Sequence, residues 1–405
     1  MHVLFVHQNF PAQFGHIAHH LIRRHAFRCS FVSQHAPADS DGLNRVQYQL
    51  QGGATEATHY LSRTFENSVW HSHAVYDALR RRPELRPDLV VAHSGFLSTV
   101  LLRELYDCPI VNYFEFFYRT IGTDLDFRPD FPSPEITRLR SRIRNATLLL
   151  DLENCDRGYS ATRWQRDLMP GIFQPKVKVI FDGIDTSIWR PRPDVDRRIG
   201  NWRIPPGKRI VTYATRGMEA LRGFDIFMRV AKLVCDRRPD VIFVVAGQDR
   251  IAYGGEQDQI GKRTFKEWVL ANDRYDLSRF LFTGLLSPQN LAELFALTDV
   301  HIYLTVPFVL SWSLLNALAC GAVVVGSDTP PVREMIEHGK NGLLADFFDV
   351  EGLAATVNEV LDDPLAYRPL GQVGVDLVGR KYSLEVCLPQ MLQLYQEAVT
   401  SQRAS

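Results

Sequence analysis

Short apolar runs rich in β-branched residues punctuate the chain. In its first half they are "HVLFVHQNF", "CSFVSQ", "LVVAHS" and "PIVNYF", and between them lie stretches with helical apolar spacing such as "FGHIAHHLIRR" and "STVLLREL". Strands alternating with helices at this interval predict an α/β, doubly wound, mostly parallel sheet. A long helical segment follows from about Pro134 to Asn154, then "RGYSAT", "KVKVIFDG" and the Pro- and Arg-rich "IDTSIWRPRPDVDRRIGNWRIPPGK", whose poor apolar periodicity marks a domain boundary. The alternation then restarts with "RIVTYAT", "VIFVVAG", "FLFTG", "VHIYLT" and "AVVVGS". The expected architecture is two Rossmann-like domains facing across a cleft: residues 1–190, a linker at 191–206, residues 207–382, and a closing helix at 383–405 for which packing back on the N-terminal domain is one open arrangement. Ligands of such sheets bind at the carboxyl ends of the strands.

Length agrees with this division, because 405 residues exceed what one hydrophobic core normally supports. An apolar fraction of 45%, a charged fraction of 23% and a formal net charge of zero describe an ordinary soluble protein and give no footprint for nucleic acid. Six cysteines stand singly, with no Cys-x-x-Cys pair and no histidine cluster at ligand spacing, so reduced thiols in the cytosol and no metal site are expected. No window is long and apolar enough for a membrane span, and the start lacks a signal-peptide pattern. Arginine clusters in "LIRRHAF", "RRRPELR" and "RLRSRIR" leave a peripheral contact with anionic lipid open beside the plainer reading of solvated helix faces.

Two segments carry candidate chemistry. In "VPFVLSWSLLNALACGAVVVGSDTPPVREMI", Ser311 or Ser313 can cap a helix whose first N–H groups form an anion site, and Gly321 ends that helix. In "ATRGMEALRGFDIFMRVAKLV", Arg216 and Arg222 share one loop and helix start, flanked by Gly217 and Gly223. Two guanidiniums beside a helix amino terminus suit a diphosphate; a solvated surface pair is the alternative.

With "HGKNGLL" and "KVKVIFDGIDTSIWRP", these segments resemble family-4 retaining glycosyltransferases of the GT-B architecture, over nearly the whole chain. The resemblance implies transfer of a sugar from a nucleotide-diphosphate sugar, such as a UDP- or GDP-sugar, with retention of configuration and neither metal nor further cofactor. It implies that Arg216 and Arg222 match the paired cations on the donor diphosphate, that Leu310, Ser311, Trp312 and Ser313 match the phosphate-cradling turn, and that Gly284 and Leu285 line the nucleobase. Glu334 matches a carboxylate on the following loop.

Where the family carries two glutamates eight positions apart, this chain has Phe308 and Asn316, which puts the sugar-side contact in doubt and leaves a neutral partner for the ribose. Glu115 stands where the family presents a histidine, with a buried structural role as its alternative; His93, past its own strand, is either a cleft residue or a core partner. Ala12, Gln13 and Phe14 could bring backbone toward the donor phosphate, although the usual Gly-Gly is missing. Two rival readings stand beside the enzyme: a degenerate member that binds a nucleotide, glycan or protein without turnover, and a nucleotide-sugar epimerase. Acceptor, donor base, sugar and oligomeric state have no reading in the sequence.

Overall fold

The computed structural model describes residues 1–35, 42–193, 195–199 and 202–403; positions 194, 200 and 201 of the expected linker and the last two of the closing helix lie outside them. The chain divides into two compact units: Met1–Ile121 with Pro134–Gly183 and Leu384–Ser405, and Gly122–Ser133 with Ile184–Ser383.

The first unit is built on seven strands, β1 (His2–Val6), β2 (Arg28–Ser33), β3 (Asn44–Gln47), β4 (Leu89–His93), β5 (Ile110–Tyr113), β6 (Arg157–Ser160) and β7 (Val177–Val179). Their order is β3-β2-β1-β4-β5-β6-β7, with parallel pairing throughout. Every residue of β1 and β4 is buried, as a parallel sheet covered on both faces requires. The order reverses between β1 and β4, so their carboxyl ends open a crevice. Helix Leu384–Arg403 closes this unit, tied to β6 by Arg157 Nη2 on Ser401 Oγ at 3.1 Å.

The segment "STVLLREL" departs from its expected α-helix and forms a 3-10 turn, Val100–Glu104. The cause is Asp151, which is fully buried and collects Ser94 Oγ at 2.6 Å, Ser98 Oγ at 2.8 Å and the Thr99 N–H at 2.8 Å. Those bonds fix the chain between β4 and the turn.

In the second unit, β8 (Arg198–Ile199) and β9 (Trp202–Arg203) form a small antiparallel pair. Its main sheet holds β10 (Arg209–Gly217), β11 (Val241–Gln248), β12 (Phe280–Gly284), β13 (Val300–Tyr303), β14 (Val324–Ser327) and β15 (Leu343–Ala345), in the order β12-β11-β10-β13-β14-β15, again parallel. Here the reversal lies between β10 and β13.

Candidate functional site

Both units place polar side chains at their switch points. In the second, β10 ends at Gly217, where a Cβ would lie 2.4 Å from the Arg250 carbonyl oxygen, so only glycine admits the loop that follows β11. Buried Glu219 then binds that loop by accepting from three successive N–H groups, those of Ala252, Tyr253 and Gly254, at 2.7, 2.8 and 3.1 Å. The arrangement fixes Tyr253, whose hydroxyl accepts from Arg216 Nη1 at 3.1 Å. Glu256, on the same loop, takes the Ala220 N–H at 2.8 Å, and burial holds its carboxyl above the usual range.

Arg222 closes a 3-10 turn, Ala220–Arg222, and Gly223 at φ +63° leads into helix Phe224–Arg237. Its guanidinium is buried, donates to Thr305 Oγ1 at 2.7 Å, and stands 5.7 Å from the Tyr253 ring centre and 5.8 Å from that of Phe308. Thr305 is itself locked: its N–H donates to Ser327 Oγ at 3.0 Å and its carbonyl accepts from Thr329 Oγ1 at 3.2 Å. Arg216 is exposed. One guanidinium is thus buried on a threonine, while the other is exposed and held by the Tyr253 hydroxyl.

The neighbouring helix is Trp312–Ala319, with Ser311 as its cap, accepting from the Ser313 N–H at 3.3 Å. Ser311, not Ser313, takes that role, and its own N–H is spent on the Tyr303 hydroxyl at 2.9 Å. Leu310 is buried and Trp312 is 41% exposed; Asn316 lies on the helix with only 8% of its surface exposed. Gly284, at φ +68°, and the exposed Leu285 lie at the end of edge strand β12, and Glu334 follows the short helix Pro330–Arg333. Arg216, Arg222, Phe308 and the start of the Trp312 helix therefore gather around the β10/β13 switch point, whereas Gly284, Leu285 and Glu334 occupy strand ends further along the sheet.

In the first unit, His93 ends β4 and is buried, and neither ring nitrogen has a hydrogen-bond partner. Glu115 Oε2 stands 3.7 Å from its Nε2. His7, just beyond β1, meets the His93 ring edge to face at 4.9 Å. His7 Nδ1 lies 2.8 Å from the Asn9 amide nitrogen and 3.0 Å from its carbonyl oxygen, and burial, reinforced by His93, pushes the imidazole down to about 3, so it is neutral. Phe96 borders both rings, 5.5 Å from His7 and 4.9 Å from His93. Ala12 adopts φ +47° at the head of a 3-10 turn, Ala12–Phe14; Gln13 lies on that turn, and the Phe14 side chain is spent in the core against Phe5 at 5.6 Å.

Sequence reasoning passed over His7, Tyr253 and Thr305. His7 and Thr305 carried a usable signal, each a polar residue just past an apolar parallel strand, while Tyr253 stood in a polar loop with no periodicity. Among the described residues, no three His, Cys, Asp or Glu side chains converge as metal ligands.

Two family models match the chain: one described as glycosyl transferase family 4 group over residues 25–189, the other as glycosyl transferases group 1 over 194–374. Among curated proteins, N-acetyl-alpha-D-glucosaminyl L-malate synthase of Bacillus anthracis is 22% identical over 55% of this chain and 54% of its own. The chain spans about half the length of the curated relatives it matches first. Among solved structures, sucrose-phosphate synthase of Thermosynechococcus elongatus superposes with a TM-score of 0.75 at 17% identity, covering 99% of this chain and 100% of that one. HepE of Anabaena in complex with UDP-glucose gives 0.64 at 15% identity, with 100% of each chain covered.

Proposed function

The chain belongs to the family-4 glycosyltransferases, and from that premise we propose that it is a retaining, metal-independent enzyme that moves a sugar from a nucleotide-diphosphate sugar to an acceptor in glycan, glycolipid or natural-product biosynthesis. The observation that carries the reading is Arg222, a guanidinium buried at a switch point, hydrogen-bonded to a locked threonine and flanked by a second arginine and a helix start. A buried guanidinium whose hydrogen bond goes to a neutral hydroxyl suits an anion, because leaving its charge uncompensated is costly. The solved complex of HepE with UDP-glucose supports a nucleotide sugar as donor.

In the proposed reaction the donor's anomeric C–O bond breaks while the acceptor oxygen bonds to the same face. Arg222 and Arg216 stabilise the departing diphosphate, whose oxygen takes the acceptor's proton. Catalysis is then positioning and electrostatic preorganisation. In the first unit, His93 and Glu115, 3.7 Å apart, offer polar atoms to the hydroxyls of a bound ligand.

A second reading, nucleotide binding without turnover, is favoured by Phe308, which packs its ring beside Arg222 where the family has a carboxylate. Incubating the protein with UDP- and GDP-sugars and following the products by mass spectrometry separates the two. Transfer, or slow release of nucleoside diphosphate, supports the enzyme; intact donor despite demonstrated binding leaves only the binder, and an isomerised donor makes it an epimerase.

Helix Glu135–Asn154 supports a peripheral membrane contact by its surface; no helix among the described residues is long and apolar enough to cross a membrane. Ile136, Leu139, Ile143 and Leu150 are exposed at heptad spacing, with Arg138 and Arg142 exposed among them. Arg140 and Arg144 are turned to other tasks, on Thr64 and the Tyr118 hydroxyl.

A further inference from the structure

The twelve-residue stretch Gly122–Ser133 lies in the first half of the chain yet belongs to the second unit, between two segments of the first. It is riveted there by aromatic rings. Phe127 stacks on Phe348 at 5.2 Å, and Phe131 packs edge to face on Trp268 at 5.5 Å. Between them sits Arg128, with 4% of its side chain exposed.

The Arg128 guanidinium makes a fork on Asp225, Nη2 at 2.7 Å and Nη1 at 3.2 Å, and a second on Asp130, Nη2 at 2.6 Å and Nε at 2.9 Å. Its remaining direction is taken by the Ala220 carbonyl, which accepts from Nη1 at 2.8 Å. Ala220 opens the 3-10 turn that ends in Arg222. A single turn of this kind cannot hold itself, having too few internal bonds. It is held from outside at three points: Glu256 on the Ala220 N–H, Arg128 on the Ala220 carbonyl, and the Tyr213 hydroxyl on the Arg222 carbonyl at 2.7 Å.

We propose that Arg128 is a positioning residue for the donor diphosphate: by holding the Ala220 carbonyl and neutralising Asp225, it sets the direction of Arg222 and removes a negative charge from the helix start beside it. Two arguments favour this over simple stapling. A buried ion network adds little net stability, and its best-attested use is to specify one arrangement. Asp225 also lies in the first turn of helix Phe224–Arg237, with the half-exposed Arg229 at 3.7 Å as a second, weaker partner, and a carboxylate relieved of Arg128 would compete with a phosphate for the positive end of the dipole. Lysine, with one ammonium and three donors, cannot reproduce the forks on Asp225 and Asp130 together with the carbonyl bond.

The inference rests on the reading that Arg222 holds the donor diphosphate, and the test separates the two. Inorganic pyrophosphate is titrated calorimetrically into the full chain at low ionic strength, using the parent, Asp225→Asn, Arg128→Met/Asp225→Asn and Arg222→Ala. The double variant leaves no unpaired charge on Asp225, so it is expected to fold, and urea unfolding checks that it does. Relative to Asp225→Asn, it should bind pyrophosphate about tenfold more weakly, and amide exchange should quicken at residues 219–224 while the β10 and β11 amides keep their protection. Arg128→Lys/Asp225→Asn, titrated alongside, should recover less than half of the loss. Affinity and local exchange equal to those of Asp225→Asn, with Arg222→Ala weakened, would overturn the role of Arg128 alone. Unchanged binding by Arg222→Ala would overturn the donor reading and this inference with it.

Discussion

At the switch point of the first sheet stand two imidazoles and a carboxylate, His7, His93 and Glu115; at that of the second stand two guanidiniums and a set of hydroxyls, Arg216, Arg222, Tyr253 and Thr305. The topology is shared, since both sheets reverse order next to their first strand. The hydrogen bonding of these side chains differs, although Glu219 Oε1 beside the second site is, like the His93 nitrogens, buried without a partner. His93 keeps both nitrogens buried without partners, a cost of about 1–3 kcal/mol per group, whereas Arg222 and Thr305 are tied into a continuous network. A surface that leaves polar valences open favours a neutral ligand rich in hydroxyls, and one that fixes desolvated positive charge favours an anion. The same topology thus carries two different sets of polar groups in the two units.

The largest expected effect breaks or keeps this contrast outright. Arg222→Ala should weaken UDP or GDP about a hundredfold, or about 2.7 kcal/mol, as loss of a charged, buried hydrogen-bond donor implies. His93→Ala should leave nucleotide affinity within twofold and lower turnover. Equal losses of affinity in both variants would erase the division.

On stability rather than affinity, the contrast is read from the response to acid, where each unit holds one histidine pushed down to about 3 by burial, His7 and His301. Between pH 6.5 and about 3 the unfolded chain takes up protons at these sites and the folded chain does not, so stability falls as pH drops through that window. The slope is about 1.4 kcal/mol per pH unit for each group. Urea midpoints measured from pH 7 to pH 4.5 should show it, and His7→Asn and His301→Gln should each flatten it. An unchanged slope in His7→Asn would mean that the first cluster is already wet.

Arg216→Ala comes third, with about a tenfold loss of nucleotide, because an exposed cation is screened. Asn316→Leu should cost roughly 1 kcal/mol of donor binding and Asn316→Glu should match or exceed the parent. Full binding by the folded leucine variant would make Asn316 a core residue. The smallest effect concerns neither switch point: Leu139→Ser/Ile143→Ser should reduce co-sedimentation with vesicles containing anionic lipid by a few-fold, with transfer to a soluble acceptor unaltered.

What was legible in the sequence follows from how each part is stabilised. The central strands could be read because a parallel sheet buried on both faces needs continuous apolar runs, as in "HVLFV" and "VIFVVAG". Edge strands β3, "NRVQ", and β15, "LLA", are too short to show a period. Arg216 and Arg222 were visible because glycine flanks them, although Gly217 proves to make room for the Arg250 backbone. The stretch around Arg128 could not be read, since its bonds to Asp225 join residues 97 positions apart and "TDLDFRPDF" looks like any polar loop. Tyr253 was hidden for the same reason: its place depends on Glu219, reached only through the fold.

The measurement that bears most directly on the central claim is a crystal structure with UDP or GDP at saturating concentration. The account predicts the diphosphate at the β10/β13 switch point, within hydrogen-bond reach of the Arg222 guanidinium and beside the start of helix Trp312–Ala319. A nucleotide bound elsewhere, or a site that stays empty with Arg222 still on Thr305, would contradict it.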